Sequence, residues 1–233
     1  MEIENLKRWK EEKSYFIFKD EQGTEDWKKL HLFRISGSSI GSCIGHSKFS
    51  TPEETGKKIC GINKPNFTEI ELNNMKYGTD LEPIARKYFE NKYNLKVEEL
   101  GMVIPKWNKY LGVSVDGVIK NSDCIIEIKC VKKMYYPLKN YVKNNKELSD
   151  YSHIWKSHYD QMILGMKILE KKYCYYFVFC PNDKIFFKQK IPFNEEYWNS
   201  IYKKTLDFIE KYIKPFIEDN KYPIIPKNWK NDN

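Results

Sequence analysis

The segment Cys124–Cys130, which reads CIIEIKC, places two charged side chains inside an apolar stretch with strong strand propensity. Alternate residues of a strand face the same side of a sheet, so Glu127 and Lys129 project together. Charges between apolar neighbours are costly unless they are paired or bound to a metal ion. The segment therefore predicts a sheet strand that carries a polar site on one face.

A second acidic residue, Asp116, lies near the end of the alternating segment 110–119, just before a turn at residues 121–123. A hairpin at this turn would bring Asp116 beside Glu127 and Lys129. Two carboxylates suit a hard divalent cation such as Mg²⁺, which can polarise a phosphoryl oxygen and activate a water. The lysine can stabilise the attacking hydroxide or the developing negative charge. The alternative for this spacing alone is a cross-strand ion pair on a solvated sheet face.

Two further polar residues lie on helical stripes that point toward packed structure. Glu82 lies in a long helix predicted over residues 68–93 and shares a face with Phe89, so it could supply a third carboxylate. Gln161 lies on the inward stripe of the helix predicted over residues 151–170. The alternatives are an ordinary surface glutamate and a buried amide bonded to the backbone.

The order of the predicted elements indicates an α+β fold, with a central mixed β-sheet flanked by helices. We expect a single domain over residues 1–233, with an irregular leader at 1–23, a core at about 24–219 and a basic, fraying tail at 220–233. Helices are predicted to begin at residue 24, within residues 34–50 and at residue 51. Longer helices are predicted over residues 68–93, 151–170 and 195–218. Strands are predicted over residues 95–105, 110–119, 124–130, 173–180 and 184–191.

Positive charge is concentrated in one part of the chain. The formal net charge is +8, and residues 131–172 carry nine lysines against four acidic residues. A concentrated basic segment indicates a polyanionic partner, and Lys132 and Lys133 at its start are candidate DNA-binding residues. The alternative is a solvated lysine surface.

The chain also lacks the signals of several other protein classes. No apolar run reaches the roughly 18 residues of a membrane span. The first residues, MEIENLKRWKEEK, are charged throughout and resemble no signal peptide, so we expect an intracellular protein that is not secreted. None of the six cysteines forms the C-x-x-C pair typical of zinc and iron–sulfur sites.

Six short motifs, in order and over roughly residues 24–215, resemble the YqaJ-type viral recombinase family. This is the lambda-exonuclease-like group within the PD-(D/E)xK nuclease superfamily. The motifs are Trp27-Lys28-Lys29-Leu30, Ile35-Ser36-Gly37-Ser38, Tyr77-Gly78 with Glu82, Ser114-Val115-Asp116-Gly117, Glu127-Ile128-Lys129-Cys130 and Tyr159-Asp160-Gln161.

The resemblance implies a restriction-endonuclease-like core that cleaves DNA with Mg²⁺, for which Mn²⁺ can substitute. The typical activity is 5′→3′ resection of double-stranded DNA ends for viral or phage recombination. By this resemblance Asp116 is the central metal ligand and Glu127 the second, and Lys129 assists the nucleophile. Glu82 and the backbone carbonyl of Ile128 complete the metal site.

The resemblance also implies a set of residues that orient the DNA end. Gln161 orients groups around the site, and Ser38 contacts the terminal phosphate, with Ser36 as a further hydroxyl donor. The arginine that binds this phosphate in the family is replaced here by His31, and Arg34 is the arginine nearby that could reach the same phosphate. Val115 stands where the superfamily name has proline.

The motifs leave the type of nuclease open. An endonuclease or nickase acting on DNA or RNA would use the same core. A non-catalytic nucleic-acid-binding relative is disfavoured because Asp116, Glu127 and Lys129 are all present. By analogy with the family we expect a possible ring trimer and a single-strand-annealing partner, and for a viral protein the host compartment stays open between cytoplasm and nucleus.

Overall fold

The computed structural model describes residues 3–20, 22–63, 67–144, 151–218 and 222–230. These residues form eight strands and seven α-helices, together with short 3₁₀ turns at Leu6–Arg8 and Lys214–Phe216 and a π-helical turn at Ile209–Ile213. In chain order they are β1 (Trp9–Glu11), β2 (Tyr15–Phe18), α1 (Glu25–Lys29), α2 (Gly37–Cys43), α3 (Pro52–Ile59), α4 (Glu69–Tyr93), β3 (Val97–Glu98), β4 (Val103–Pro105), β5 (Gly117–Ile119), β6 (Cys124–Cys130), α5 (Tyr136–Asn144), α6 (Lys156–Ile168), β7 (Tyr173–Cys180), β8 (Ile185–Pro192) and α7 (Glu195–Phe208).

A mixed five-stranded sheet, in the order β3-β5-β6-β7-β8, is the centre of the fold. Strands β6 and β7 pair in parallel, whereas the other neighbours are antiparallel. Helix α4 packs on one face, where Phe89 joins a cluster with Ile126 and Ile128. Helix α6 packs on the opposite face, the side toward which Ile125 projects. Because side chains alternate along β6, Glu127 and Lys129 share the α6 side with Ile125. The predicted α+β fold with a flanked mixed sheet is confirmed.

A second, three-stranded antiparallel sheet, called the N-terminal sheet below, has the order β1-β2-β4. It is built largely from residues predicted to be an irregular leader, and that prediction is wrong. Trp9, Phe16 and Phe18 are buried and pack in one cluster with Met102 and Ile104, which gives this segment its own apolar core.

The predicted fraying tail also needs correction over residues 222–230. Ile224 and Trp229 pack against the cluster of the three-stranded sheet. The carbonyl oxygen of Ile224 accepts a hydrogen bond from the Arg34 side chain. These contacts attach the described part of the tail to the N-terminal sheet.

Local sequence determines where the helices begin and end. Thr51 and Thr68 cap α3 and α4, each in a reciprocal capping box with the glutamate three residues later. Helix α4 ends at Asn94, which adopts the left-handed conformation. These helix starts and the stop at Asn94 are confirmed. None of the described helices is long and apolar enough to cross a membrane.

Two parts of the middle of the chain differ from prediction. The segment predicted as a strand at 110–119 forms a strand only in β5, while Leu111 and Val113 each make an isolated bridge. Helix α5 was not predicted. A side chain at Gly117, directly after Asp116, would collide with the Val97 side chain, which extends from the neighbouring strand β3 onto the start of β5.

Candidate functional site

Asp116, Glu127 and Lys129 meet where β5 and β6 run side by side. Gly117 pairs with Ile126, which places Asp116 next to the Glu127 end of β6. Oδ2 of Asp116 accepts a hydrogen bond of 2.6 Å from the backbone N–H of Ile128. Nζ of Lys129 lies 2.6 Å from Oε1 of Glu127. The predicted hairpin therefore brings the three side chains together.

Glu82 reaches the same place from α4 through an arginine that the sequence analysis did not identify. The Arg86 guanidinium donates to Oε1 of Glu82 at 2.6 Å and to the backbone carbonyl of Asp116 at 3.0 Å. The Arg86 guanidinium also lies 2.6 Å from Oε1 of Glu99. The i, i+4 spacing of Glu82 and Arg86 is the sequence signal that could have indicated this pair.

Gln161 reaches the site from α6, which packs on the face of the sheet opposite to α4 and on the same side as Lys129. Its Oε1 accepts a hydrogen bond of 3.2 Å from Nζ of Lys129. Helix α2 packs directly on this part of α6, since a methyl group placed on Gly37 would lie 3.1 Å from Cγ of Gln161. The hydroxyls of Ser36 and Ser38 are 3.2 Å apart beside Gly37, with Ser36 buried and Ser38 exposed. The structure thus places the serine motif next to Gln161.

The three carboxyl groups of the site are harder to ionise than exposed ones. Burial, with repulsion from Asp116 second, raises the pKa of Glu127 to about 8 and that of Glu82 to about 7. Burial also raises the pKa of Asp116, although Lys129 and the Ile128 N–H oppose this shift. Burial alone would lower the pKa of Lys129, but Glu127 and Asp116 outweigh it and the pKa is raised. The lysine is therefore held in its charged form among acids that resist ionisation.

The donor set fits a hard divalent cation. Among the residues that the structure describes, no three His, Cys, Asp or Glu side chains form a ready-made ligand group. Mg²⁺ is, however, commonly bound through one or two carboxylates and keeps several waters. Asp116 and Glu127, with the backbone carbonyl of Ile128, match that requirement, and a bound cation would favour the ionised form of carboxyls whose pKa burial raises. Glu82, ion-paired with Arg86, lies next to this set.

Arg34 does not face a DNA end, which corrects its predicted role as a phosphate ligand. The side chain is buried, and its guanidinium donates to the backbone carbonyls of Leu30, Lys109 and Ile224. Its donors therefore join three segments that are far apart in sequence. The contacts give Arg34 a structural role in the packing of the N-terminal sheet.

His31 is half-buried against an aromatic ring. The imidazole lies 4.1 Å from the Trp27 ring, measured between centroids, and Nδ1 is 3.0 Å from the Trp27 carbonyl oxygen. Burial lowers the pKa of His31 below its usual value. The ring is therefore uncharged near neutral pH, and His31 supplies no fixed positive charge there.

Lys132 and Lys133, at the start of the basic segment, are both exposed just after β6. Nζ of Lys132 donates to the side-chain oxygen of Asn74 at 3.0 Å and lies over the Tyr77 ring. Their position beyond Lys129 suits contacts to the phosphates of a bound strand.

A buried polar network behind Gln161 was also not predicted. The neighbouring residue, Asp160, is fully buried and lies 2.9 Å from Nδ1 of His46, and it accepts a 2.5 Å hydrogen bond from the Tyr197 hydroxyl. A methyl group on Gly41 would lie 3.1 Å from Asp160. The network ties the loop after α2, and also α7, to α6, and the sequence gives little sign of it because its members are far apart in the chain.

Comparisons with solved structures show which known fold this arrangement shares. An alkaline exonuclease from Laribacter hongkongensis aligns with 20% identity and a TM-score of 0.66, over 83% of this chain and 94% of that one. The same exonuclease in complex with dAMP gives 19% identity and a TM-score of 0.67, with the same coverage. A phage-related exonuclease from Haemophilus somnus 129PT gives 15% identity and a TM-score of 0.52, over 80% and 94% of the two chains.

The likenesses show that the chain shares the fold of these exonucleases, in agreement with the predicted α+β core. A comparison with curated proteins gives no match. The model of the YqaJ-like viral recombinase domain matches residues 26–171, which include Glu82, Asp116, Glu127, Lys129 and Gln161. Since this match spans more than half of the sequence, the chain belongs to the YqaJ-like viral recombinase family.

Proposed function

We propose that the chain is a metal-dependent DNA nuclease, and specifically an exonuclease that resects double-stranded DNA ends in the 5′→3′ direction. The observation that carries the proposal is that Asp116 bonds the backbone N–H of Ile128 between Glu127 and Lys129, while Lys129 contacts both Glu127 and Gln161. The exonuclease family resemblance supports the choice of DNA ends as substrate and of the 5′→3′ direction.

The side chains have distinct roles in this proposal. Asp116 and Glu127 would hold the cation, which when bound would supply Lewis-acid polarisation of the scissile phosphate and a water of lowered pKa. Lys129, kept charged by its acidic neighbours, stabilises negative charge that develops on the attacking oxygen and the phosphoryl group. Gln161 holds the Lys129 ammonium in place through its amide oxygen. Arg86 fixes the Glu82 carboxylate and the backbone of Asp116.

The direct test compares Lys129→Ala with the unmodified protein on linear duplexes labelled at either end and on a closed circle. We expect Mg²⁺- or Mn²⁺-dependent release of nucleotides from 5′ ends, with no cutting of the circle. Loss of a preorganised electrostatic group costs about 100- to 1,000-fold in rate, so Lys129→Ala should be inactive on this scale. Its affinity for the duplex, measured without metal, should change only a few-fold because many lysines contribute to binding.

Lys133→Ala is the matched control, since it removes an exposed lysine four residues away. It should leave the saturated cleavage rate unchanged and weaken binding slightly. Full activity in EDTA would contradict the metal mechanism. Cutting of the closed circle would favour the endonuclease alternative, and a near-normal rate for Lys129→Ala would reduce that lysine to an ion-pair partner.

A further inference from the structure

An aromatic cavity of about 590 Å³ lies between the loop that follows α2 and the beginning of α6. This volume is in the range of pockets that bind small organic groups. The side chains that matter for its chemistry are Lys48, Phe49, Tyr135, Tyr151, Trp155 and Lys156. None of them has a role in the cleavage site described above.

Two of these aromatic side chains are exposed to an unusual degree. Phe49 is 81% exposed and Trp155 is 44% exposed, although both are large apolar groups. Their rings lie 6.2 Å apart at an angle of 30°. Tyr135 contacts Trp155 edge-on at 5.7 Å and limits the freedom of the indole. Adjacent exposed rings of this kind are typical of a surface that binds flat, apolar groups.

The charge around the rings is positive. Lys48 and Lys156 are exposed and line the same cavity, and Ser47 and Ser157 add hydroxyl groups. Flat aromatic surfaces next to cations match the chemistry of single-stranded nucleic acid, whose bases stack and whose phosphates are negative. An apolar peptide would gain little from the two lysines.

Helix α6 links the cavity to the cleavage site, since Trp155 caps its start and Gln161 lies within it. Trp155 stacks on His158, with ring centroids 5.5 Å apart and planes at 24°. Gln161 follows one helical turn later and bonds Lys129 at 3.2 Å. The same helix therefore carries an aromatic ring of the cavity and the amide that contacts the Lys129 ammonium.

We propose that this cavity binds unpaired bases of a DNA strand whose phosphodiester lies in the candidate site. Phe49 and Trp155 stack the bases, and Lys48 and Lys156 contact the flanking phosphates. The proposal rests on the proposed nuclease function, because it assigns the place where the frayed end of the substrate is held.

The test measures binding in EDTA, so that no cleavage is needed, by fluorescence anisotropy. The probes are a labelled oligothymidylate and an abasic strand of the same length and charge. Stacking of one base contributes enough that Phe49→Ala should weaken oligothymidylate binding by about 5- to 100-fold. Binding of the abasic strand should change less than about two-fold, because only the phosphate contacts act there. Phe49→Trp should restore the affinity.

Phe216→Ala is the matched control, since Phe216 is an exposed phenylalanine outside the cavity, and it should bind both probes like the unmodified protein. Equal affinities of Phe49→Ala and the unmodified protein for oligothymidylate would overturn the proposal, as would equal losses on both probes. Because this readout uses no catalysis, failure of the nuclease assay and failure of the cavity proposal are distinguishable.

Discussion

Arg86 organises the acidic residues of the site although it makes no direct contribution to cleavage in the proposed mechanism. It lies buried between Glu82, Glu99 and the backbone of Asp116. Its role depends on the packing of α4 on the sheet, which no local pattern reveals. By contrast, Asp116, Glu127 and Lys129 could be predicted because a short hairpin brings them together.

We expect Arg86→Ala to destabilise the protein, because Glu82 would then lie unpaired beside Asp116. Breaking a buried ion pair costs about 3–5 kcal/mol, and the partial exposure of both glutamates lowers our expectation to roughly 1–3 kcal/mol. Urea unfolding in EDTA measures this change. Lys76→Ala, which breaks an exposed pair with Asp80 on the same helix, should have a much smaller effect, because solvent screens such a pair. Equal losses for both variants would refute the organising role of Arg86.

Arg34, the arginine near His31, is buried and donates to backbone carbonyls, so its guanidinium is not available to a terminal phosphate. A charge-assisted hydrogen bond is worth roughly 1.5–3 kcal/mol, or about 10- to 100-fold in rate. Without it, we expect 5′-phosphorylated and 5′-hydroxyl ends to be digested at rates within about 10-fold of each other at neutral pH. His31→Arg should increase the preference for the phosphate.

Leu32→Arg is the control for that experiment, since it adds the same charge at an exposed neighbouring position. It should leave the preference unchanged. A strong preference of the unmodified protein for 5′-phosphorylated ends would mean that Ser38 and its neighbours bind the terminal phosphate without an arginine. The burial of Arg34 could not be predicted, because its acceptors at Lys109 and Ile224 are distant in sequence.

At the scale of elements, strands β1 and β2 show where sequence patterns fail. The segment before residue 20 is short and rich in charges, so its apolar residues were too few to indicate a sheet. Their burial depends on β4, whose Ile104 pairs with Phe16 across the sheet. Helices α3 and α4 were predictable because each carries its capping box within four residues.

Phe16→Ala tests whether this N-terminal sheet is part of the stable structure. Phe16 is 1% exposed, and truncation of a buried phenylalanine costs about 3–5 kcal/mol. We expect a loss of this size in urea or thermal unfolding, even though the family match begins only at residue 26. Leu6→Ala, at a position 47% exposed in the same segment, should cost less than about 1 kcal/mol. If Phe16→Ala left the unfolding transition unchanged, the N-terminal sheet would pack on the protein without contributing to its stability.

At the scale of the whole molecule, the acidic site makes stability depend on pH. The folded, metal-free protein binds protons at Glu127 and Glu82 up to about pH 8 and about pH 7, whereas the ordinary glutamate value is 4.5. Between about pH 4.5 and about pH 8 the folded state therefore binds more protons than the unfolded state. The contribution of the site is therefore greatest below about pH 4.5 and is lost as pH rises to about 8.

We expect Glu127→Gln to flatten this dependence, because it removes a carboxyl group whose pKa burial raises to about 8. Urea unfolding midpoints in EDTA, compared at about pH 5.5 and about pH 8, measure the difference between the two proteins. Saturating Mg²⁺ should stabilise the unmodified protein more at the higher pH, where the carboxylates are ionised. Parallel pH profiles for the two proteins would show that Glu127 titrates normally.

The parallel pairing of β6 with β7 also orders events in time. Parallel neighbours require a long crossover, and here the chain leaves at Cys130 and returns at Tyr173 after passing through α5 and α6. Such long-range pairings form slowly, because the connecting chain must be ordered first. During synthesis Glu127 and Lys129 are therefore added to the chain well before Gln161, whose amide oxygen accepts the hydrogen bond from Lys129. The Lys129–Gln161 contact of the candidate site therefore forms only after the crossover has been made.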